Sequence, residues 1–204
     1  MPKIDTYSVC HPGVELCFWR IEESVEELAA LIDGGDGLLA EARRKFKAVE
    51  RQREWLAARA LLQHSGHDVS ALAYMPGGAP CLKGTGLHIS ISHTRGLAVV
   101  AISKRPVGVD IEAEGRDASK AIRMLAGSSD AVICNDEALR MWTAKEAAFK
   151  LSPGCCVTIK DIRLEMVSCG SVCAEYRVAY PDGASAVCRT YGIEGYVLSC
   201  CTRE

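Results

Sequence analysis

The stretch Val107–Glu112 constrains the fold most strongly, because two kinds of side chain alternate along it. Apolar residues occupy positions 107, 109 and 111, and Gly108, Asp110 and Glu112 occupy the positions between and after them. Successive side chains of a β-strand point to opposite faces of the sheet. The alternation therefore predicts a strand with one face on a core and both carboxylates on the other face.

A second segment, Trp142–Lys150, has the spacing of a helix. Trp142, Glu146 and Phe149 share one side of it, and Glu146 and Lys150 are neighbours at i,i+4. Taken alone, this pattern is typical of a surface ion pair worth ~0.3–0.5 kcal/mol. The two aromatic residues are more typical of a core than of a ligand contact.

Packing of this helix on the strand would bring Asp110, Glu112 and Glu146 to one point. Three carboxylates repel one another unless protons or a cation compensate their charge. Oxygen ligands that leave part of the coordination sphere open suit Mg²⁺ with water and a substrate phosphate. The simpler alternative is that each carboxylate lies on a solvated face, and the spacing alone leaves both interpretations open.

Composition narrows the class of protein. The chain has 204 residues with a net charge of −2, an apolar share of 49% and a charged share of 25%, which is ordinary for a globular protein and unlike a general nucleic-acid binder. Its 11 cysteines include no C-x-x-C pair, and neither an apolar leader nor a membrane-length apolar run is present. We expect a cytoplasmic protein with reduced thiols that neither binds nucleic acid nor enters a membrane.

The first third of the chain predicts a strand followed by helices. Residues Val14–Ile21 are rich in aromatic and branched side chains, and Ser24 with Glu27 forms a capping box at a helix start. A longer helix or helix pair is expected from about Leu38 to Ser65.

Basic residues are concentrated in the first part of that region. Arg43, Lys47 and Arg51 stand at i, i+4 and i+8 and would line up on one continuous helix. One interpretation is a solvated charged face; the other is a stripe that faces phosphate groups of a nucleotide-like ligand.

The remaining segments predict an α+β protein. Residues 87–92 and 97–103 read as strands, and with the strand at 107–112 they predict an antiparallel meander. A helix capped by Asn135 runs to Lys150, and four strands are expected after it. Those strands are Ile159–Val167, Val172–Tyr180, Ser185–Tyr191 and Tyr196–Cys201. A helix followed by a meander thus occurs twice, which suggests two similar halves.

Gly108–Glu112 followed by Trp142–Lys150 resembles the paired signature of the 4′-phosphopantetheinyl transferase superfamily. Its pattern is G-[VI]-D-[IVL]-E and then W-[ST]-x-K-E-A/S-x-x-K. Ser92-His93 stands where the family has a Ser-His pair after a strand, and residues 59–62 resemble its R-x-L-L helix. The resemblance covers roughly residues 38–160.

The resemblance implies a fold and an activity. The fold would be a pseudo-twofold pair of similar halves, residues 1–105 and 106–204, each with a helix packed on an antiparallel sheet and the active site in the cleft between them. The activity would be Mg²⁺-dependent transfer of the 4′-phosphopantetheine arm of coenzyme A, the co-substrate, to a serine of an apo acyl or peptidyl carrier protein, releasing 3′,5′-ADP. The chain length resembles the monomeric members that activate peptide and fatty-acid synthases.

The resemblance also implies roles for residues. Asp110, Glu112 and Glu146 would bind Mg²⁺, with Glu146 as the base for the incoming serine and Lys150 stabilising the pyrophosphate charge. The remaining implied contacts are to the coenzyme, mainly its phosphates: Ser92, His93, Lys145 and one or two of Arg43, Arg44 and Arg51.

One position departs from the family pattern. Ala79 stands where the family usually has Lys in Gly-Lys-Pro, which removes a cation whose charged hydrogen bond would be worth ~1.5–3 kcal/mol. Two alternatives therefore accompany the transferase hypothesis. One is a degenerate member that binds coenzyme A or a nucleotide without transfer, and the other is an interaction domain whose acidic residues are solvated.

Overall fold

A computed structural model describes residues 11–119, 134–152, 158–170 and 173–203. It is a mixed α+β structure with antiparallel sheets, as the sequence predicts. The strands are β1 (Val14–Arg20), β2 (Leu72–Tyr74), β3 (Pro80–Leu82), β4 (His88–Thr94), β5 (Leu97–Ser103), β6 (Val107–Ala113), β7 (Arg163–Cys169), β8 (Cys173–Ala179), β9 (Ser185–Ile193) and β10 (Tyr196–Thr202). The α-helices are α1 (Val25–Ala30), α2 (Gly35–Lys45), α3 (Val49–His64) and α4 (Asn135–Leu151).

The first sheet has the order β1-β5-β4 and is covered by α1, α2 and α3. Every residue of its central strand β5 is buried, in agreement with the continuous apolar run of the sequence. Ala98, Val100 and Ile102 of β5 face the core under the helices. The alternate residues Leu97, Val99 and Ala101 face a second core shared with β6 and β10. The capping box of Ser24 and Glu27 is also present.

The second sheet has the order β6-β10-β9-β8-β7, and α4 packs on it. The predicted meander of β4, β5 and β6 is therefore wrong in its last strand. Both edges of β5 are already paired, one with β1 and one with β4, so β6 has no free edge there. It pairs instead with β10, and Asp110 lies opposite Ser199.

The two sheets meet along β4 and β6, which lie side by side and run in the same direction. Side-chain hydroxyls of β4 accept hydrogen bonds from backbone N–H groups of β6: Ser90 from Val109 (3.0 Å), Ser92 from Ile111 (3.3 Å) and Thr94 from Ala113 (3.3 Å). Unpaired N–H groups of a buried strand edge are costly, and the hydroxyls satisfy them. We call this row of contacts the hydroxyl seam.

Three details of the secondary structure differ from expectation. The region of residues 38–65 is a helix pair with a break at residues 46–48, so Arg43, Lys47 and Arg51 do not form one stripe. Cys134 occupies the N-cap position of α4 without a side-chain capping bond, while the side chain of Asn135 bonds to the backbone of residues 116 and 118. Residues Ile159–Asp161 form a 3₁₀ turn before β7 begins.

The helices and the cysteines can be compared with what the composition predicts. Among the described residues, no helix is long and apolar enough to cross a membrane. Cys188, Cys200 and Cys201 are free thiols with at most a trace of exposed surface, and they act as small apolar residues in the second sheet.

Candidate functional site

Helix α4 lies directly against the acidic face of β6. A Cβ atom added to Gly108 would stand 2.0 Å from the carbonyl oxygen of Ala147 and 2.7 Å from the backbone nitrogen of Leu151. Only glycine leaves room for the helix backbone at this point. The predicted packing of strand on helix is confirmed, and Asp110 follows on the same face of β6.

Asp110 is the best-fixed group of the site, with only 5% of its surface exposed. Its Oδ1 accepts hydrogen bonds from Lys150 Nζ at 2.7 Å and from Ser92 Oγ at 2.8 Å. Lys150 Nζ also donates to Ser92 Oγ at 3.0 Å and to the Val109 carbonyl at 3.2 Å. The expected surface pair of Lys150 with Glu146 is therefore wrong, because all three ammonium donors are used by groups of β4 and β6.

The second oxygen of Asp110 is different. Oδ2 is buried and has no hydrogen-bond partner among the described residues. A buried carboxylate oxygen without a partner costs free energy that a proton donor or a cation would recover. This oxygen is the feature of the site that best fits a metal ligand.

Glu146 lies one helical turn before Lys150 and is partly buried. Burial raises the pKa of the Glu146 carboxyl, and the negative charge of Asp110 raises it further, while Lys150 and Arg116 act in the opposite direction. A carboxylate with a raised pKa binds a proton or a cation more readily than an exposed one. Glu146 can therefore serve as a base or as a cation ligand.

The negative charge of Glu112 is compensated by Arg116. Its Oε2 accepts from Thr94 Oγ1 at 3.4 Å, and its Oε1 pairs with the Arg116 guanidinium. Within the described part of the chain, no three His, Cys, Asp or Glu side chains are grouped so that they could hold a metal ion. Asp110 Oδ2 is available to a cation as it stands, whereas Glu112 would have to exchange Arg116 for it.

The two aromatic residues on the Glu146 side of α4 differ, because Trp142 packs against a small core cluster and Phe149 does not. Phe149 is 41% exposed. Trp142 is partly exposed, with Arg116 at 5.8 Å from its ring centre, and its Nε1 is buried with no partner among the described residues. The expectation that both pack in a core is wrong for Phe149.

Basic groups meet at the end of β4, next to Ser92. His93 Nδ1 lies 3.1 Å from Glu54 Oε2 and 3.4 Å from Arg51 Nη1, and Arg51 Nη1 lies 3.1 Å from the same Glu54 oxygen. Burial lowers the pKa of His93; Glu54 raises it, and the charges of Arg51 and Lys150 lower it. We call Arg51, Glu54 and His93 the basic triad.

The other predicted coenzyme contacts lie elsewhere. Lys145 Nζ donates to the carbonyls of Ile162 at 2.5 Å and Ile159 at 3.4 Å, so it anchors the turn before β7. Arg43 pairs with Glu26 of α1, and Arg44 is exposed on α2. The structure thus brings Ser92, Asp110 and Lys150 together, with His93 and Arg51 adjacent, but it does not bring Lys145 or Arg43 into that cluster.

Sequence reasoning missed three residues of the site: Glu54, Thr94 and Arg116. The spacing of Arg51 and Glu54 at i,i+3 could have suggested a pair within one helix. The alternation of hydroxyls at positions 90, 92 and 94 could have suggested a polar strand face. No signal in the sequence shows that this face lies on β6.

No protein-family model matches the chain, and a search of curated proteins gives no match.

Proposed function

We propose that the chain is a Mg²⁺-dependent 4′-phosphopantetheinyl transferase acting on an apo acyl or peptidyl carrier protein. The observation that carries the proposal is the contact between β6 and α4. Two motif segments that are far apart in the sequence meet there, and Asp110, Lys150 and Ser92 form one hydrogen-bonded cluster.

The proposal includes two related halves, residues 1–105 and 106–204, with the active site in the cleft between them. It is supported by the change of sheet between Ser103 and Val107 and by separate helical covers for the two sheets. The hydroxyl seam crosses from one sheet to the other and ends at the carboxylates, since Ser92 and Thr94 also donate to Asp110 and Glu112.

Asp110 and Glu146 would hold the cation, and Glu112 would join them after releasing Arg116. Bound Mg²⁺ would supply positive charge opposite the negative charge of the pyrophosphate. Lys150 keeps one oxygen of Asp110 occupied, which leaves Oδ2 as the oxygen available for coordination.

Glu146 would take the proton of the carrier serine. The serine oxygen then forms a bond to the phosphorus that bears the pantetheine arm, and the bond from that phosphorus to the bridging oxygen breaks. The electron pair leaves with 3′,5′-ADP. Burial and the charge of Asp110 raise the pKa of the Glu146 carboxyl, which makes its carboxylate a stronger proton acceptor.

The phosphate groups of coenzyme A would be held by His93 and Arg51, with Ser92 between them and Asp110. Arg51 is an exposed guanidinium that can present two donors to a phosphate. The proposal leaves Lys145 out of this set, because its ammonium is committed to backbone carbonyls.

The test is an incubation of the protein with coenzyme A, Mg²⁺ and a panel of apo carrier proteins, followed by intact-mass measurement of each carrier. The expected result is a gain of one phosphopantetheine arm on a serine, with formation of 3′,5′-ADP. The variant Glu146→Gln should lose this activity and keep its fold, while Glu137→Gln, at the start of the same helix, should retain it.

Negative outcomes separate the alternatives. Binding of coenzyme A without modification of any carrier would favour a protein that binds the coenzyme without transfer. If coenzyme A neither binds nor changes the melting temperature, an interaction domain is the better interpretation.

A further inference from the structure

A carboxylate in the middle of the basic triad is unexpected for a site that should attract phosphate. Glu54 places one oxygen, Oε2, within 3.1 Å of both Arg51 Nη1 and His93 Nδ1. Only 15% of its side chain is exposed, whereas 59% of the Arg51 side chain is. Glu54 is held by α3, in which the next residues, Trp55 and Leu56, belong to the core. It is therefore a fixed part of the site and not a loose surface charge.

The contact determines which form of the imidazole is present. A carboxylate oxygen only accepts hydrogen bonds and a guanidinium only donates them, so Nδ1 cannot satisfy both neighbours. The contact to Glu54 is 3.1 Å and the contact to Arg51 is 3.4 Å. The shorter contact favours an N–H at Nδ1 that donates to Glu54.

The other ring nitrogen of His93, Nε2, is then the one available to a ligand. No hydrogen bond joins His93 Nε2 to another described residue, and 31% of the side chain is exposed. The hydroxyl of Ser92, the preceding residue of β4, points to the opposite face and is bonded to Asp110 and Lys150. The charge of Lys150 nevertheless lowers the pKa of His93, which links the ring to that cluster. With Nδ1 committed to Glu54, Nε2 is the ring atom available to a ligand.

We propose that Glu54 is a positioning residue that fixes His93 with its Nδ1–H directed inward, so that protonated Nε2 donates to a phosphoryl group of the ligand. This inference rests on the proposed function, because the phosphoryl group is that of coenzyme A or of the released 3′,5′-ADP. A carboxylate behind an imidazole fixes the ring orientation and stabilises its charged form.

Charge explains why this arrangement helps phosphate binding. The charged groups that act on His93 are Glu54 and Arg51 from α3 and Lys150 from α4, and of these three only Glu54 favours the imidazolium. Burial also disfavours the imidazolium. Without Glu54 the pKa of His93 would fall further below its ordinary value, and the ring would offer a phosphate less positive charge.

A competing interpretation is that Glu54 occupies the anion site and must be displaced by phosphate. The variant Glu54→Gln separates the two interpretations, because its amide oxygen still accepts from His93 Nδ1–H while the negative charge of Glu54 is lost. If Glu54 positions and charges His93, Glu54→Gln weakens binding of 3′,5′-ADP. If Glu54 competes with phosphate, the same change tightens binding.

The first measurement is the tautomer of His93, read from long-range ¹H–¹⁵N NMR spectra of the ¹⁵N-histidine protein and assigned with His93→Gln. The expected result is an Nδ1–H form in the wild type and in Glu54→Gln, and a shift toward the Nε2–H form in Glu54→Ala. An Nε2–H form in the wild type, or no change in Glu54→Ala, would overturn the proposal.

The second measurement is the Kd of 3′,5′-ADP from about pH 5.5, below the ordinary pKa of histidine, to about pH 8, above it. At the upper end, Glu54→Gln should weaken binding about tenfold, the cost of losing a charged hydrogen bond. At the lower end of this pH range the His93 ring is protonated more readily, so the loss of affinity in Glu54→Gln should be smaller. The control is Glu50→Gln, an exposed residue of the same helix, which should leave the Kd unchanged.

Each outcome has a separate meaning. Tighter binding in Glu54→Gln, or an equal loss at every pH, would overturn the role of Glu54 while leaving the proposed function intact. A wild type that does not bind 3′,5′-ADP would overturn both. A wild type that shows the expected pH profile but modifies no carrier protein would overturn the proposed function alone.

Discussion

The two sides of the candidate site are built in different ways. On the carboxylate side, Asp110 is buried, and its Oδ1 is held by Lys150 and Ser92 from two different elements. On the basic side, the Arg51 side chain is 59% exposed and is held by a neighbour in its own helix. Removing the partner of Asp110 should therefore lower the free energy of unfolding by more than removing the partner of Glu54 does.

The two sets of side chains are positioned by different kinds of contact. The carboxylate side is positioned by backbone packing of β6 on α4, which has no slack at Gly108. The basic side is positioned by side-chain contacts between α3 and the end of β4, in which Glu54 is largely buried and Arg51 is exposed. Under the proposed function, the packed carboxylates would hold the cation and the exposed Arg51 would adapt to the phosphates.

The largest effect is expected from Gly108→Ala. The new Cβ would lie 2.0 Å from the Ala147 carbonyl oxygen, a backbone atom that moves only if α4 moves. We expect a loss of more than about 3 kcal/mol in the free energy of unfolding, measured by chemical denaturation.

Gly192→Ala is the matched control, because Gly192 lies in β9 and a Cβ there meets nothing within 4 Å. Its effect should stay within about 0.5 kcal/mol. Equal stabilities of the two variants would show that β6 and α4 are not packed as closely as described.

The next effect is expected from Lys150→Ala. It leaves the buried carboxylate of Asp110 without its cation and should cost about 3 kcal/mol, since breaking a buried pair strands the remaining charge. Arg51→Ala, at the exposed pair, should cost under about 1 kcal/mol. Urea unfolding curves of both variants check the difference, and similar losses would remove the contrast between the two sides.

A smaller effect of opposite sign is expected from Glu146→Gln. The pKa of Glu146 is raised in the folded state, so the unfolded chain releases its proton at lower pH and the carboxylate destabilises the fold at neutral pH. Since solvent screens a partly exposed carboxylate, the variant should gain no more than about 1 kcal/mol at about pH 7, seen as a rise of up to about 2–4 °C in Tm.

This gain should vanish as the pH falls through the ordinary range of a carboxyl group, because both states are then protonated. Glu137→Gln, at the start of α4, should give no gain, since it removes a favourable charge from the helix N-terminus. A gain that does not depend on pH would mean that the charge of Glu146 is not its cause.

Much of the carboxylate side could be predicted from sequence, because its information is local. Period-two alternation placed Asp110 and Glu112 on one face, and the helical spacing placed Glu146 beside Lys150. What it could not show is that Lys150 reaches Asp110, since that contact depends on how closely α4 approaches Gly108.

The basic side was predicted less well for a physical reason. The stripe of Arg43, Lys47 and Arg51 assumed one helix, but extended backbone at Phe46 and Ala48 separates α2 from α3. The predicted meander is wrong for a similar reason. Pairing of β6 with β5 requires a free edge of β5, and that edge is occupied by β1, which is far away in the sequence.

The central claim is that the carboxylate side binds a cation together with a phosphorylated ligand. The most direct measurement is calorimetric titration of coenzyme A with and without Mg²⁺, in the wild type and in Asp110→Asn. We predict that Mg²⁺ tightens coenzyme A binding to the wild type by about tenfold or more, within the usual range of coupling between two bound ligands. In Asp110→Asn this tightening should be lost. A Kd for the wild type that is the same with and without Mg²⁺ would contradict the claim.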